Sequence, residues 1–322
     1  MDHSMTRRQF LATSAAAGLG LATGRTLMAE NTEFKTTPHK ALIVGGIDEK
    51  ALETLKSAGF EGVECGAAGA SRADAEKARA RAEKVGVRIH SVLRGWLSFN
   101  DPKRVDADVK SMEVALGAAA GYGADAVLMV PCRTGGMPMP QPWEFDIEFD
   151  EKTARVARVV KGDNDKYQKY IDVQNQATEA SREALKRLGP AAEKAKVFVA
   201  VENVWNNLWV KPALAASFVR SVDSPWVQFY FDIGNHVKYA PSTEWIRTLG
   251  KMIVKCHVKD FKLKPDGHGG GFVDIRDGSV DWPAVRKELD RAGYNGWMTI
   301  EGSGGLSLEE QNRRLDLILA GK

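Results

Sequence analysis

The chain reads as a single-domain (β/α)8 barrel of the α/β class, and three features of the sequence point there. Eight short apolar runs rich in β-branched residues alternate with eight stretches of helical pattern, the signature of βαβ units on a parallel sheet. The alternation fills about 280 residues, close to the length that one such barrel uses as a unit. An open doubly wound sheet is the competing architecture. Its dinucleotide fingerprint GxGxxG is missing, because a bare Gly45-Gly46 turn follows the first run.

Taken in order, residues 1–29 stand apart from the barrel. Thr6-Arg7-Arg8-Gln9-Phe10-Leu11 precedes an uncharged run rich in Ala and Gly at 12–23, and this pairing resembles a bacterial twin-arginine export signal. The run falls short of the roughly 20 apolar residues that span a bilayer. The mature chain is therefore expected to carry no stable membrane span, with cleavage after Ala29; Leu27 is larger than the small residue a cleavage site favours, and retention as an uncleaved anchor is the alternative. Export of the folded protein places it in the periplasm or another extracytoplasmic compartment. Residues 30–38 read as a polar linker and 39–322 as the barrel.

Strands are expected at 41–47, 62–65, 88–93, 126–132, 197–204, 227–233, 253–258 and 296–300. Helices are expected between and after them, at 49–58, 72–85, 106–122, 167–194, 211–222, 243–250, 282–292 and 308–319. Two connections differ from the rest. The segment 133–166 is long and rich in Pro, Met and charge, which marks it as a functional lid. The glycine-rich segment 267–271 lacks a following helix to make it a phosphate cradle, so it reads as a mobile flap.

Composition narrows the function classes. A hydrophobic content of 43% across 322 residues is ample for one core. Forty-five basic residues nearly balance 42 acidic ones, for a net charge of +3, which gives no reason to invoke nucleic acid or an anionic membrane as partner. Cys65, Cys132 and Cys256 are odd in number and widely spaced, so they read as small buried hydrophobes rather than a disulfide framework.

Chemistry in this fold sits at the C-terminal ends of the strands. Four successive strands finish on Glu202, Asp232, His257 and Glu301. Strand side chains alternate, so Glu202 shares a face with Ala200, and Glu301 with Thr299. All four can then face the barrel mouth, where they would repel one another and lose hydration unless a cation compensated them. Three carboxylates and one imidazole form a hard, oxygen-rich set for one divalent metal ion. Mn2+ or Mg2+ suits it best, with Co2+ and Zn2+ as further candidates. The same strand ends and their following loops carry candidate substrate contacts: His90, Trp96, Trp205, Asn235, His236, Lys259 and Glu64. Of these, Lys259 could meet a substrate oxygen or phosphate, the aromatic rings could stack on a sugar, and Glu64 could serve either a ligand or the substrate.

Six motifs make a resemblance specific. They are Val201-Glu202-Asn203-Val204-Trp205, Phe231-Asp232-Ile233-Gly234-Asn235, His257-Val258-Lys259-Asp260-Phe261, Gly278-Ser279-Val280-Asp281-Trp282, Gly293-Tyr294-Asn295-Gly296 and Thr299-Ile300-Glu301. Together they resemble the xylose-isomerase-like sugar isomerase/epimerase superfamily, within the branch of sugar epimerases, inosose dehydratases and hydroxypyruvate isomerases. The resemblance implies that Glu202, Asp232, His257 and Glu301 bind the metal. It also implies that Glu202 and Glu301 are the acid/base pair of a 3-epimerase. Ketose epimerases of that group often carry a His three residues after the metal Asp and an Arg six after the metal His. Here those places hold Asn235 and Leu263.

The function expected from these residues is a metal-dependent sugar isomerase or 3-epimerase working through a metal-stabilised cis-enediolate on a small carbohydrate. The same groups would serve a 3-keto-glycoside lyase or hydrolase, or a keto-polyol dehydratase, and export favours a glycoside. A non-catalytic carbohydrate-binding barrel is the third alternative, and homo-oligomerisation stays open.

Overall fold

The computed structural model describes residues 33–322; the twin-arginine segment at 1–29 lies outside the described residues. Eight strands close into a parallel barrel: β1 (His39–Val44), β2 (Gly62–Cys65), β3 (Arg88–Trp96), β4 (Ala126–Val130), β7 (Phe198–Glu202), β8 (Val227–Asp232), β9 (Ile253–Val258) and β12 (Trp297–Ile300), with β12 pairing back onto β1. Eight helices surround them: α1 (Glu49–Ser57), α2 (Arg72–Val85), α3 (Val105–Tyr122), α4 (Gln168–Ala195), α5 (Pro212–Arg220), α6 (Ser242–Leu249), α7 (Trp282–Arg291) and α8 (Leu308–Leu319).

Local chemistry explains where the helices begin. Asp48, Ser71, Asp281 and Ser307 each accept a backbone N–H from the first turn of α1, α2, α7 and α8, satisfying donors that a helix start leaves free. Most of the apolar core lies between the barrel and the helix ring. A second, small cluster of Ala126, Leu128, Ala200 and Tyr230 fills the barrel interior. Because strand side chains alternate, the inward positions of Ala200, Tyr230, Lys255 and Thr299 continue to Glu202, Asp232, His257 and Glu301. The barrel floor thus sets which residues face its mouth.

Three segments gain definition in the structure. Part of the expected linker, residues 34–38, packs on the barrel. Thr36 donates its backbone N–H and its hydroxyl to Asp290 Oδ1, both at 2.8 Å, while the Arg286 guanidinium lies 3.9 Å over the Phe34 ring and also bonds Thr36. The segment is strapped to α7. The expected flap at 267–271 joins two strands, β10 (Asp260–Leu263) and β11 (Gly270–Val273), as an antiparallel hairpin directly after β9. The 133–166 connection contains its own antiparallel pair, β5 (Glu148–Phe149) and β6 (Val156–Arg158). Its Trp143 stacks on His268 of the hairpin, ring centroids 4.0 Å apart. Among the described residues no helix is long and apolar enough to cross a membrane.

Candidate metal centre

The ends of β7, β8, β9 and β12 bring Glu202, Asp232, His257 and Glu301 together, with one ligand atom of each within 4.8 Å of all the others. Strand register does this directly: Asp232 sits opposite His257, and His257 opposite Thr299, the residue two before Glu301. His257 Nδ1 lies 3.2 Å from Glu202 Oε1 and 3.2 Å from Glu301 Oε2. Its Nε2 faces the other way, 3.0 Å from Glu64 Oε1.

Asp232 is held rigidly. Its Oδ1 accepts the backbone N–H groups of Gly234 and Asn235 at 2.8 and 2.7 Å. Asn203 clamps the Asp232 backbone, accepting its N–H at 2.7 Å and donating to its carbonyl at 2.8 Å. A side chain at Gly234 would come within 2.5 Å of the Lys259 carbonyl oxygen, so the close packing of β8 against the end of β9 requires glycine there. Asp232 Oδ2 is buried without a hydrogen-bond partner and points toward the cluster, 3.5 Å from Lys259 Nζ.

The electrostatics are those of crowded acids. Burial pushes the Asp232 carboxyl up to about 7 against the pull of Lys259, with Glu301 and Glu202 adding to the rise. Burial likewise raises Glu202 against the pull of His257. Burial alone would depress His257, but Tyr230, Glu64 and the bonds to Glu202 and Glu301 hold it well above its usual value. Lys259 is also raised, since Asp232 and Glu301 outweigh its desolvation; its Nζ lies 2.8 Å from Glu301 Oε2. The orphaned Asp232 oxygen and three converging carboxylates are the donor set a divalent cation needs, and the residues present fit one.

The remaining candidates separate by depth. His90 is fully buried, stacked on Trp297 at 4.6 Å with its Nε2 3.1 Å from Thr299 Oγ1. Thr299 precedes Glu301 by one inward position, so His90 stands a layer below the ligand cluster. His236 is also buried: its Nε2 donates to the Val204 carbonyl at 2.9 Å, and its ring packs between Trp245 and Tyr239. Glu64 is fully buried, its Oε1 against the far nitrogen of His257. Asn235 spends its side-chain N–H on the Asn203 carbonyl at 3.1 Å, which makes it a brace for the Asp232 turn. In each case the side chain has a protein partner: Thr299 for His90, the Val204 carbonyl for His236, His257 for Glu64 and the Asn203 carbonyl for Asn235.

Three candidates are less buried. Trp205 lies half-buried against Phe272, ring centroids 4.8 Å apart, with Lys238 Nζ 3.3 Å over its face. Trp96 is exposed and carries the Arg133 guanidinium at 4.2 Å. Lys259 reaches the cluster itself.

Two residues escaped sequence reasoning. Phe272 is exposed on the hairpin, its ring 5.0 Å from Lys259 Nζ; nothing in a glycine-rich stretch signals it. Asp260 is fully buried and accepts the backbone N–H groups of Phe261, Arg276, Gly278 and Val280 and the indole N–H of Trp282. Its place in the His257–Phe261 motif was the available signal.

Comparison with known proteins bears on the fold and the family. The L-ribulose-5-phosphate 3-epimerase UlaE of Escherichia coli O157:H7 (strain EC4115 / EHEC) is 31% identical over 135 residues, which is 41% of this chain and 45% of the relative. The chain thus matches less than half the length of that relative. The structure of the E. coli 3-keto-D-glucoside 4-epimerase YcjR superposes with a TM-score of 0.65 at 14% identity, covering 88% of this chain and 99% of that one. A xylose isomerase-like TIM barrel protein from Mycobacterium smegmatis, solved in complex with magnesium, gives 0.56 at 17% identity, covering 85% and 88%. These two likenesses concern the fold. The family model described as xylose isomerase-like TIM barrel matches residues 52–316, and the chain belongs to that family.

Proposed function

We propose that the chain is a divalent-metal-dependent sugar isomerase or 3-epimerase. One observation carries this reading: Glu202 and Glu301 approach the same atom, His257 Nδ1, at 3.2 Å each, from strands three places apart around an eight-stranded ring. Two carboxylates flanking one point can serve two faces of a substrate bound there. When bound by Glu202, Asp232, His257 and Glu301, a divalent cation supplies Lewis-acid polarisation to a ketose carbonyl and its neighbouring hydroxyl. One glutamate then removes the proton from the carbon beside the carbonyl, and the other returns a proton on the opposite face. Reversibility requires each to serve in both roles. Lys259 offers its ammonium to a substrate oxygen, and Phe272 and Trp205 offer ring faces to the sugar's apolar side.

A second reading has its own support. Of the four exposed large hydrophobic residues among those described, Trp96, Trp143 and Phe272 lie at the end of β3 or on connections leaving β4 and β9, the face that carries the cluster. A free small ketose would leave much of that aromatic surface uncovered, whereas a 3-keto-glycoside would bring an aglycone to it. Proton removal beside the carbonyl also precedes β-elimination, so a lyase, hydrolase or keto-polyol dehydratase would use the same glutamates.

Manganese-loaded protein incubated in deuterated water with free ketoses and with 3-keto-glycosides separates these readings. Deuterium is expected at the carbon beside the carbonyl, with epimer formed in the first case and aglycone released in the second. Glu202→Gln and Glu301→Gln should each lower turnover about 10²–10⁴-fold. Near-normal turnover in both variants, or active protein that incorporates no solvent deuterium, would show that these glutamates are not the acid/base pair.

A further inference from the structure

We propose that Glu64 is the positioning residue that fixes which nitrogen of His257 faces the ligand cluster. The inference rests on reading Glu202, Asp232, His257 and Glu301 as a metal site. Glu64 lies fully buried on β2. It reaches from β2 to β9, three places around the ring, and meets His257 Nε2 at 3.0 Å with both side chains buried.

The chemistry of the pair settles the direction of the bond. Glu64 Oε1 offers an acceptor 3.0 Å from Nε2, so a proton on Nε2 makes this bond and a proton on Nδ1 leaves it unmade. A ring that ligates a cation is neutral and has one such proton. Nδ1 is then left with its lone pair directed at the point between Glu202 and Glu301, 3.2 Å from each. The wrong tautomer would put an N–H where a ligand is needed and a lone pair against a carboxylate.

Glu64 is itself pinned. Its Oε2 accepts the Ser91 hydroxyl, and the Tyr230 hydroxyl lies 3.4 Å from Ser91 Oγ. The Tyr230 ring stands 4.4 Å from the His257 ring, closing its side. A carboxylate buried this deeply costs folding energy unless it is paired, and His257 is the ionisable partner within bonding distance. Partners of this kind hold a ligating histidine in one ring orientation and raise its basicity.

Calorimetric titration of metal-stripped wild type, Glu64→Gln and Glu64→Ala with Mn2+ tests this, alongside NMR of the Mg2+ form labelled with nitrogen-15 at histidine. Glu64→Gln preserves shape but loses the charge, and its amide can turn to donate to Nε2 and favour the wrong tautomer. Both variants are expected to bind Mn2+ about 10–100-fold more weakly. The wild-type spectrum should show His257 protonated at Nε2 and not at Nδ1. Wild type that binds Mn2+ while Glu64→Gln binds it within about threefold would overturn the role of Glu64 and leave the metal site standing. So would a wild-type His257 protonated at Nδ1, a result that needs no variant to fold. Wild type that binds neither ion overturns the metal site, and the role of Glu64 with it.

Discussion

At the scale of residues, two buried groups with no place at the mouth carry much of the local order. Asp260 gathers four backbone N–H groups and one indole N–H. It thereby anchors residues 276–282 to the end of β9. Removing it leaves those donors buried and unsatisfied, so Asp260→Ala should destabilise the fold by at least about 3 kcal/mol in a denaturant titration. His236 is held down to about 4 by burial, opposed by its bond to the Val204 carbonyl. It is neutral in the folded state while the unfolded chain takes up a proton below about 6.5. Stability is thus retained above that pH and lost as pH falls from about 6.5 toward 4, by roughly 3 kcal/mol in all. His236→Gln should flatten that part of the stability profile; an unchanged slope would assign the acid sensitivity elsewhere. These residues also show where sequence reading ends. The period of two on a strand reveals which face a side chain takes, and Glu202, Asp232, His257 and Glu301 were legible for that reason. It does not reveal which partner a side chain takes, so the bonds of His90 to Thr299, of His236 to the Val204 carbonyl and of Glu64 to His257 were not legible.

At the scale of elements, regular segments were legible because their periodicities are set by backbone geometry. Expected and observed boundaries of the barrel strands and their helices differ by at most three residues. The two excursions over the mouth were not legible in the same way. Glycines at 267, 269, 270 and 271 hide a hairpin behind a composition that reads as loose, and the 133–166 connection has no period at all. We propose that the Trp143–His268 stack couples these excursions into one lid. Trp143→Ala removes a parallel ring contact worth about 0.5–1.5 kcal/mol. Amide exchange at 264–271 should accelerate in that variant, by up to about tenfold. Exchange that stays at the wild-type rate would show that the hairpin is held by β10 and β11 alone.

At the scale of the whole molecule, the closed barrel explains why a site from four strands needs no loop to assemble it: register alone brings the ligand atoms within 4.8 Å. A site that forms with the fold suits export of a folded, metal-loaded protein, which we propose for the Arg7-Arg8 segment. Replacing both arginines with lysine should leave the protein in the cytoplasm with fold and metal intact; unchanged localisation would refute the twin-arginine assignment. The central claim is the divalent site itself, and titration of metal-stripped protein with Mn2+, followed by calorimetry and thermal unfolding, tests it most directly. Wild type should bind about one equivalent per chain and unfold at a higher temperature when loaded, while Asp232→Ala and His257→Ala should lose both effects. Full activity in metal-free protein, or unchanged stoichiometry and affinity in Asp232→Ala, would contradict it.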